Sequence, residues 1–560
     1  MKFHTKKKSK RSLKLIVLGG TTTVQKNMYV YEYGSDIVIF DCGIGFPNRE
    51  LLGVDIVLPD FSYVLENIDK VKGIVITHGH EDHFGALPYL LEQVRIPIYS
   101  ARLVSEFIKL KLKERNLLNG TSFNILDPDK GPIKLGDFSI DFFRINHSVP
   151  ESLGYALKTP QGVVFHVPDY KFDWTPVMDK PFDIQKAVDL AKGGVLALCS
   201  DCLGARTDGF TSSEKDIQTT FDNYMFRTKG QVFITTLSSN ISRIRMAVEA
   251  SIKNGRKIVI GGRSMRNSVG VGKKLGYLPY SEEHFIPELQ AKSFDQSKIT
   301  YIVSGSFGQP ESSLGRISRN CHKNIKIEEN SLVIFSADPI PGVYDLVYDM
   351  IDSLTLLGAE VIYSDIQDNL HVSGHGSRGD HILLANLVKP KYHIPTGGTV
   401  SLMRAHSQNM QKIGVKEENI LELLEGDMVT FKNGIAVKHK FLETKNVFID
   451  NTGLNVVDPV VLRDRTALSQ DGIFVAILKY DSEKKEFLNS VELVSRGFIY
   501  MKESRPLLKE AEKRILEVLK GTKKSKDWSK IKDVVEKTLF RFFLKKTGHT
   551  PLILPVIVEA

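Results

Sequence analysis

Five polar side chains are crowded into one six-residue segment, His78-Gly79-His80-Glu81-Asp82-His83. The apolar run GIVIT leads into it and predicts a buried strand, so the cluster is expected at the carboxyl end of that strand. Gly79 lets the backbone bend, which allows His78 and His80 to face one point. Imidazole nitrogens with carboxylate oxygens are the ligands typical of zinc or manganese. A polar turn at the strand end is the simpler alternative.

Two further candidates stand directly behind predicted strands. His147 follows FSIDFFRIN, and Asp169 follows GVVFHVP. A carboxylate has two oxygens and can bridge two cations about 3.5–4 Å apart, as in two-metal hydrolases. A lone His or Asp at a strand end is more often a turn or cap residue. Together with the cluster at 78–83, however, the pair favours a metal site.

The elements that must position these residues change in character along the chain. Up to about residue 212, short runs rich in Val, Ile, Tyr and Phe predict two sheets with helices packed outside, and ALPYLLEQ predicts a helix with Asp82 and His83 at its entrance. From about Ser213, strands alternate with helices, which predicts a parallel α/β sheet. A polar connection near residues 442–451 then leads to a separate α/β module that ends in two helices.

Composition narrows the class of protein. With 560 residues and 42% hydrophobic content, the chain is typical of a soluble globular protein of about three or four domains. No apolar run approaches the roughly 18 residues of a membrane span, so no membrane partner is expected. Four cysteines are too few for a disulfide framework and favour a reducing, cytoplasmic location. Cys199 and Cys202 form one CxxC, which we interpret as a strand end rather than a redox pair.

Most of the formal net charge of +9 belongs to the start of the chain. Met1–Lys14 carries seven Lys and Arg residues and no acid. Such a basic tail is expected to be disordered and able to lie on a polyanion.

The motifs, taken in order, resemble a known family. HxHxDH followed by a downstream His and Asp resembles the metallo-β-lactamase fold. More narrowly, THGHEDHFGALPYLL, NHSVPESLGYALKTPQGVVFHVPDYKFDWTPV, GFTSSE, ADPIPG, HVSGHGS and LVSRGFIYM resemble ribonuclease J, of the nucleic-acid-processing β-CASP branch, from about Leu13 to the chain end. The resemblance implies an α/β protein: a metallo-β-lactamase αββα sandwich with an inserted β-CASP α/β domain and a C-terminal α/β dimerisation domain. The implied boundaries are a basic tail at 1–12, a split metallo-β-lactamase domain at 13–212 and 372–441, the β-CASP domain at 213–371, a linker at 442–455 and the C-terminal domain at 456–560.

The resemblance also implies a set of ligands for two divalent metal ions, zinc first, with Mn²⁺ or Mg²⁺ as alternatives. His78, His80 and His147 would hold one metal, Asp82 and His83 the second, and Asp169 would bridge them. Asp41, in IFDCGIGFP, would orient the histidine loop, and Asp82 would also assist proton transfer.

Two segments would contact RNA. His371-Val372-Ser373-Gly374-His375 resembles the family's phosphate-contacting loop, where His375 would protonate the leaving oxygen or hold the scissile phosphate. Ser239-Asn240-Ile241-Ser242 would bind the 5′-monophosphate of RNA; the alternative is that Ser242 simply caps a helix. Glu214 falls in the acidic motif that opens the β-CASP insert.

One motif departs from the family. Its last motif runs roughly IP-x-H-G-E-Y-R, with a histidine that completes the second metal site. Here KYHIPTGGTVSLMRAH places Gly397 at the ligand position, with Thr399 and Ser401 at those of the acid and the arginine. Neither His393, on the strand side, nor His406, in a predicted helix, is expected to replace it. In the N-terminal loop GGTTTVQKNMY, a glycine- and glutamate-containing sequence is also replaced, although Asn27 and Met28 remain.

The function expected from this pattern is that of a ribonuclease J-like enzyme in rRNA and mRNA maturation and decay. It would act as a 5′-to-3′ exonuclease that could also cut internally on single-stranded, 5′-monophosphorylated RNA. Activity is expected to be attenuated because the second metal lacks one ligand and binds weakly. The alternative is a catalytically weak RNA-binding subunit beside an active paralog. Homodimers, tetramers or hetero-oligomers with such a paralog are the expected assemblies. A third option, a small-molecule hydrolase, does not account for HVSGHGS and ADPIPG.

Overall fold

The computed structural model describes residues 11–48, 50–339, 343–450, 456–499, 503–521 and 527–559. Of the predicted basic tail, Met1–Lys10 lies outside the described residues, whereas the Arg11 guanidinium pairs with Asp137 at 2.7 Å. The chain forms two compact units, Met1–Phe46 with Val57–Val447, and Pro47–Ile56 with Phe448–Ala560. The boundary after Val447 falls within the predicted linker, whereas Pro47–Ile56, which belongs to the second unit, lies inside the predicted metallo-β-lactamase segment 13–212. The predicted domain boundaries themselves stay a prediction.

The strands, in chain order, are β1 (Leu13–Gly19), β2 (Met28–Tyr33), β3 (Asp36–Phe40), β4 (Ile56–Leu58), β5 (Val71–Val75), β6 (Ile98–Ser100), β7 (Phe123–Ile125), β8 (Ile133–Leu135), β9 (Phe138–Arg144), β10 (Leu153–Thr159), β11 (Gly162–Val167), β12 (Val195–Asp201), β13 (Val232–Thr235), β14 (Lys257–Gly261), β15 (Ile299–Val303), β16 (Leu332–Phe335), β17 (Glu360–Ile362), β18 (Pro390–Thr396), β19 (Asp427–Lys432), β20 (Ile435–Lys440), β21 (Val447–Ile449), β22 (Ile473–Asp481), β23 (Glu486–Arg496) and β24 (Leu552–Glu559). The α-helices are α1 (Ser62–Glu66), α2 (Glu81–Phe84), α3 (Leu87–Leu91), α4 (Arg102–Glu114), α5 (Ile184–Ala191), α6 (Asp216–Arg227), α7 (Ile241–Lys253), α8 (Arg263–Leu275), α9 (Ser313–Ser318), α10 (Tyr344–Leu356), α11 (Arg378–Val388), α12 (Val400–Lys412), α13 (Pro459–Asp471), α14 (Arg505–Gly521) and α15 (Trp528–Thr547).

Two sheets of the first unit face each other. One has the strand order β20-β19-β1-β2-β3-β5-β6-β7, and the other β18-β12-β11-β10-β9-β8. Their inner faces meet through aromatic side chains, for example Phe40 against Tyr155, with ring centroids 5.1 Å apart. Helices α5 and α11 contribute Ala187 and Leu384 to the apolar layer on the outer side of the second sheet. The predicted sandwich of two sheets with helices outside is confirmed.

The segment between β12 and β18 carries the predicted parallel sheet. Its strands run in the order β14-β15-β13-β16-β17, and every pair in that order is parallel. Fully buried β-branched and aromatic residues such as Val259, Phe233 and Val333 fill its strands, as expected for a sheet that is covered on both faces. Parallel strands place all their carboxyl ends at one edge, and the connecting loops there are free to form a binding surface.

The helix that was predicted over ALPYLLEQ is α3, and a separate short helix, α2, precedes it. Asp82 and His83 lie in the short helix α2, and α3 follows only after Gly85 and Ala86. The carbonyl of Asp82 accepts from the Asn27 amide at 2.9 Å, and the Ala86 amide donates to Cys42 instead. These long-range bonds replace the hydrogen bond that a continuous helix would make between residues 86 and 82.

The close approach of the loop after β3 to the segment around Asp82 depends on Gly43. A Cβ atom at that position would lie 1.5 Å from the Asp82 carbonyl oxygen. The metal-binding segment is therefore docked by backbone contacts onto the loops after β1 and β3.

The second unit contains the sheet β23-β22-β24. Strand β22 alternates, with Phe474, Ala476 and Leu478 buried against Ile515 of α14 and Leu539 of α15. The two predicted helices are present, but α13 and β24, which pairs parallel to β22, were not predicted. None of the helices in the described part of the chain combines the length and apolar character that crossing a bilayer requires.

Candidate metal centre

Three imidazoles and a carboxylate converge at the edge where β5, β9 and β11 end. His80 Nδ1 lies 3.2 Å from His78 Nε2 and 3.0 Å from His147 Nε2. The Asp169 Oδ2 atom lies 3.7 Å and 3.8 Å from those two Nε2 atoms. The four ligand atoms all fall within 4.8 Å of one another. The structure thus brings together the four residues that were predicted to surround the first metal.

The other ring nitrogens of this group are committed to neighbours. His147 Nδ1 donates to the Gly374 carbonyl at 2.7 Å, so its Nε2 keeps a lone pair. Thr77 Oγ1 donates to Asp41 at 2.9 Å and therefore accepts from His78 Nδ1 at 3.1 Å. Burial lowers the pKa of His78 and His147 well below the ordinary value and that of His80 to about 3. Neutral imidazole lone pairs that face each other at this distance repel unless a cation lies between them, so the residues fit a metal.

A second group shares Asp169 with the first. His83 Nε2 lies 3.3 Å from Asp169 Oδ2 and 3.6 Å from Asp82 Oδ2, and the three ligand atoms fall within 4.8 Å of one another. Burial raises the pKa of Asp82 to about 6. Burial opposes protonation of His83, but the carboxylates of Asp169, Asp41 and Asp82 outweigh it and hold its pKa well above the ordinary value. This excess of buried carboxylate is an environment that a divalent cation would neutralise.

Asp41 orients the histidine loop from behind, as predicted for its position. It is fully buried and accepts from the Thr77 amide at 2.8 Å and from His83 Nδ1 at 2.7 Å. A carboxylate that holds the far nitrogen of a histidine fixes the ring so that the near nitrogen faces the metal. The positive φ of Asp41, 61°, is stabilised by these bonds.

Gly397 lies where a further ligand would project. A Cβ atom built on it would be 3.5 Å from Asp169 Oδ1 and 3.4 Å from Asp201 Oδ1, so a side chain here would enter the shared carboxylate region. Neither His393 nor His406 belongs to any of the ligand groups formed by the described residues. His393 pairs with β12 opposite Leu198, and His406 packs on His381 with ring centroids 5.3 Å apart.

Asp201 is a site residue that the sequence analysis missed. Its Oδ2 accepts from His375 Nδ1 at 2.8 Å, and His375 Nε2 lies 3.9 Å from Asp169 Oδ2. Burial opposes protonation of His375, but Asp201 and Asp169 outweigh it and raise its pKa to about 9. Asp201 ends β12 beside β11, the same strand-end signal that marked Asp169.

Cys199 and Cys202, the two cysteines of the CxxC, lie on either side of Asp201 in the sequence. Both thiols are free and buried, and burial raises the pKa of Cys199 to about 12. A thiol of this kind is not the reactive thiolate of a redox pair, which supports the interpretation of the CxxC as a strand end.

A cleft of about 1040 Å³ opens over both ligand groups. His80, Asp82, His147 and Asp169 line one side of it. The opposite side is formed by the carboxyl-end loops of β13 to β16, with two cations, two carboxylates and many hydroxyls, and includes Ser238, Ser239, Arg263, Ser264, Ser304, Ser306, Glu311, Ser312, Ser313, Arg316 and Asp338. Apart from Ser239, these residues were not predicted; Gly and Ser at successive strand ends were the available signal.

The predicted phosphate-contacting loop borders the same cleft. His371, Ser373, Gly374 and His375 line it, whereas Val372 is buried at the side. Gly374 is needed for close approach, because a Cβ atom there would lie 2.6 Å from His147 Cε1. This loop therefore holds His147 as well as facing the cleft.

The predicted 5′-phosphate segment divides between cleft and core. Ser239 lines the cleft, but Asn240, Ile241 and Ser242 are buried. The alternative, in which Ser242 caps the helix, is wrong, since Asn240 is the N-cap of α7 and accepts from the Arg243 amide at 2.8 Å. Ser242 instead lines a small cavity of about 20 Å³ next to His147.

Glu214 lies outside both ligand groups. It accepts from the buried Arg243 guanidinium at 3.1 Å and from Asn240 Nδ2 at 3.4 Å. Its role in the fold is to neutralise Arg243, which also holds the carbonyl of Leu370 at 3.3 Å, just before the His371 loop.

Comparison with known proteins shows the family to which this chain belongs. Models of the metallo-beta-lactamase superfamily, the beta-CASP domain of ribonuclease J and the ribonuclease J C-terminal domain match residues 21–169, 229–354 and 460–560. The chain is 35% identical to Ribonuclease J2 of Bacillus subtilis (strain 168) over 557 residues, which is 99% of this chain and 100% of that protein. The chain belongs to the ribonuclease J family. The predicted family and fold class are confirmed.

Two further relatives agree with this assignment, and one solved structure shares the fold. Ribonuclease J 1 of Streptococcus pyogenes serotype M3 is 35% identical to the chain over 97% of both proteins, and Ribonuclease J 2 of Staphylococcus aureus (strain NCTC 8325 / PS 47) is 31% identical over 99% of both. A protein of unknown function from Enterococcus faecalis V583 matches with a TM-score of 0.53 at 13% identity, over 75% of this chain and all of that one, which bears on the fold alone.

Proposed function

We propose that this ribonuclease J family member is a metal-dependent ribonuclease that degrades single-stranded RNA 5′ to 3′ from a 5′-monophosphorylated end, with internal cleavage as a second mode. The observation that carries the proposal is the pair of ligand groups sharing Asp169 beneath a cleft with cations on its far side. Such a cleft suits a phosphodiester chain, because cations and hydroxyls hold phosphates while the metal side acts on one bond. Maturation and decay of rRNA and mRNA in the cytoplasm are the processes such an enzyme would serve.

The chain's own residues divide the chemistry between them. His78, His80, His147 and Asp169 would hold one divalent ion, and Asp82, His83 and Asp169 the other. When bound, such an ion pair generates a nucleophile from water at neutral pH and stabilises charge on the phosphate. Asp82, on the cleft side, is placed to take up a proton. His375, held through Nδ1 by Asp201, presents Nε2 to the same region and is placed to protonate the leaving oxygen or to hold the phosphate.

Attenuated activity is part of the proposal. The second group has two ligands of its own besides the shared Asp169, and Gly397 contributes none. Even the loss of a group that only supports a ligand costs about 10–100-fold in metal affinity, so a missing ligand weakens the second ion at least as much.

A second candidate function follows from the same glycine. A protein with one weak metal could act as the RNA-binding subunit of a complex whose active member is a ribonuclease J paralog. The cleft loops from β13 to β16 do not depend on the second metal, so RNA would still be held.

The experiment that separates the two functions uses the full chain without any paralog. Purified protein is incubated in excess over a labelled single-stranded RNA with either a 5′-monophosphate or a 5′-triphosphate. The nuclease proposal predicts metal-dependent degradation of the monophosphorylated RNA, faster than that of the triphosphorylated RNA. Tight binding of both RNAs without degradation under single-turnover conditions would establish the binding subunit instead.

The C-terminal unit is the element we propose for self-association into dimers or tetramers. The face of its sheet away from α14 and α15 presents Val494, Leu554 and Val558, each more than a third exposed. A second copy of this face, or the same face of a paralog, would cover these apolar side chains.

A further inference from the structure

Among the described residues that line the metal side of the cleft, Lys111 on α4 is the only lysine or arginine. The two arginines that line the cleft, Arg263 and Arg316, belong to the opposite side. The metal side also carries four carboxylates, on Glu81, Asp82, Glu114 and Asp169. An RNA phosphate that approaches the ligand groups is repelled by any carboxylate that no cation neutralises, so the place of this single lysine matters.

Helix α4 turns one face toward the cleft. The residues of that face are spaced by three and four positions, as on one side of a helix, and are Phe107, Leu110, Lys111 and Glu114. Phe107 is buried, whereas Lys111 is partly exposed. The exposed part of the Lys111 side chain therefore lies on the cleft side of the helix.

Glu81 holds the ammonium group of Lys111 beside the metal-binding segment. Lys111 Nζ lies 2.7 Å from Glu81 Oε1. Glu81 begins α2 and stands between His80 and Asp82, and its carbonyl accepts from the Ile44 amide at 3.1 Å. The cation is thus anchored on a residue that adjoins, in sequence, one proposed ligand of each metal ion.

A purely structural role explains this ion pair poorly. The side chains of Lys111 and Glu81 are 38% and 40% exposed, and ion pairs that water reaches contribute little to stability. Backbone hydrogen bonds already hold α2, because the Asn27 amide donates to the Asp82 carbonyl at 2.9 Å and the Cys42 amide donates to the His83 carbonyl at 2.7 Å. These bonds fix the helix without help from the ion pair.

An ammonium group has three N–H donors, and the contact with Glu81 Oε1 occupies one of them. The others can bind a phosphate oxygen while the ion pair stays intact. We propose that Lys111 is a phosphate-binding residue on the metal side of the cleft, and that Glu81 keeps its ammonium group in place while no RNA is bound. The phosphate it takes is close to the bond that is cut, since Glu81 adjoins Asp82. This inference rests on the proposed function for the identity of the ligand, single-stranded RNA.

The test compares RNA binding by full-length, metal-loaded proteins at several salt concentrations. Stopped-flow fluorescence anisotropy with a labelled, 5′-monophosphorylated single-stranded RNA gives the affinity before the RNA is degraded. Lys111→Gln should weaken binding about tenfold and reduce the slope of log affinity against log salt by about 0.7, the value for one phosphate on a single strand. Glu81→Gln should bind RNA at least as tightly as the wild type, because it frees the ammonium group and removes a carboxylate from the cleft.

Lys109→Gln is the matched control. Lys109 lies on the same helix, is 34% exposed and pairs with Glu106 Oε1 at 2.9 Å, but it does not line the cleft. Its loss removes the same charge from α4 and should leave both the affinity and the salt slope at the wild-type values.

Two results would overturn the assignment of Lys111 and leave the proposed function intact. One is a Lys111→Gln variant with the affinity and salt slope of the wild type. The other is an equal loss of affinity in Lys111→Gln and Glu81→Gln, which would mean that the ion pair acts by holding α2. If Lys111→Gln does not fold, Glu81→Gln decides alone, because weaker binding by that variant contradicts the proposal. A wild type that binds no RNA overturns the proposed function as well.

Discussion

The two ligand groups that share Asp169 differ in how many of their ligands one short segment of the sequence supplies. The first takes three imidazoles from two strand ends, each with its far nitrogen or ring held by a neighbour. The second takes Asp82 and His83 from the same segment, and Gly397, from which a further ligand would project, lies far away in the chain and carries no side chain. The proposed weakness of the second position therefore does not extend to the first, whose four ligand atoms are all present.

Removing an imidazole from the complete group should have the largest effect. His80→Ala takes away the nitrogen that lies within 3.2 Å of both His78 and His147. We expect zinc stoichiometry to fall below one per chain and the rate of RNA degradation to drop roughly a thousandfold or more, because this group organises the reacting region. Metal analysis and single-turnover kinetics measure the two effects.

The matched control for His80→Ala is His439→Ala, an exposed histidine on β20. It should leave both quantities unchanged. RNA affinity should survive in both variants, since phosphate contacts rather than metal dominate binding. Degradation by His80→Ala at the wild-type rate would remove the first group from the mechanism.

A smaller effect on the rate of RNA degradation is expected from substituting Asp201, which is not one of the proposed metal ligands. Asp201→Asn keeps an oxygen for the Leu203 amide, 2.8 Å away, but no longer holds His375 with a charged acceptor. We expect about a hundredfold loss in the single-turnover rate with zinc content and RNA affinity unchanged, because a carboxylate sets the orientation and tautomer of its histidine.

His375→Ala provides the comparison for Asp201→Asn. If Asp201 acts only by positioning His375, Asp201→Asn in the His375→Ala background should add little further loss. Additive losses would mean that Asp201 acts independently of His375.

The smallest change is expected from restoring the lost ligand. Gly397→His, with Thr399→Glu and Ser401→Arg to support the ring, should raise the affinity for the second metal about tenfold and the nuclease rate with it. The effect is limited because residue 397 has a φ of +68°, which costs a non-glycine residue roughly 1 kcal/mol or more.

Gly397→Ala is the control that carries the same backbone cost without an imidazole. It should lower the melting temperature as the triple variant does and leave metal affinity at the wild-type value. If alanine alone raised the affinity, the gain in the triple variant would come from the backbone rather than from a new ligand.

Sequence reasoning identified residues whose signal is local and missed those whose signal is not. His147 and Asp169 could be found because each directly follows an apolar run, and Asp201 carried the same signal at the end of β12. The break between α2 and α3 could not be predicted, because it depends on hydrogen bonds from Asn27 and to Cys42 that only the folded chain forms. The contact of Asn27 with His83 was likewise invisible, since 56 residues separate them in the chain.

The fold shows the same difference between elements with a local sequence signal and elements without one. Period-two and helical patterns predicted both sandwich sheets, the parallel sheet and the last two helices. Strand β24 was not predicted, although it pairs with β22 along its whole length. It follows α15, and its place beside β22 is set by the packing of its own Ile553 in the cluster that contains Phe474, rather than by a neighbouring strand in sequence.

The most direct measurement of the central claim is the rate of RNA degradation as metal is returned stepwise to metal-free protein. The account predicts no degradation in chelator, little after one equivalent of Zn²⁺, and a rise in rate when a second equivalent of Zn²⁺, Mn²⁺ or Mg²⁺ is added to that single-zinc protein, with 5′-monophosphorylated single-stranded RNA as substrate. Degradation at full rate with one equivalent of Zn²⁺ and no second ion, or undiminished degradation in chelator, would contradict a centre of two unequal metal positions.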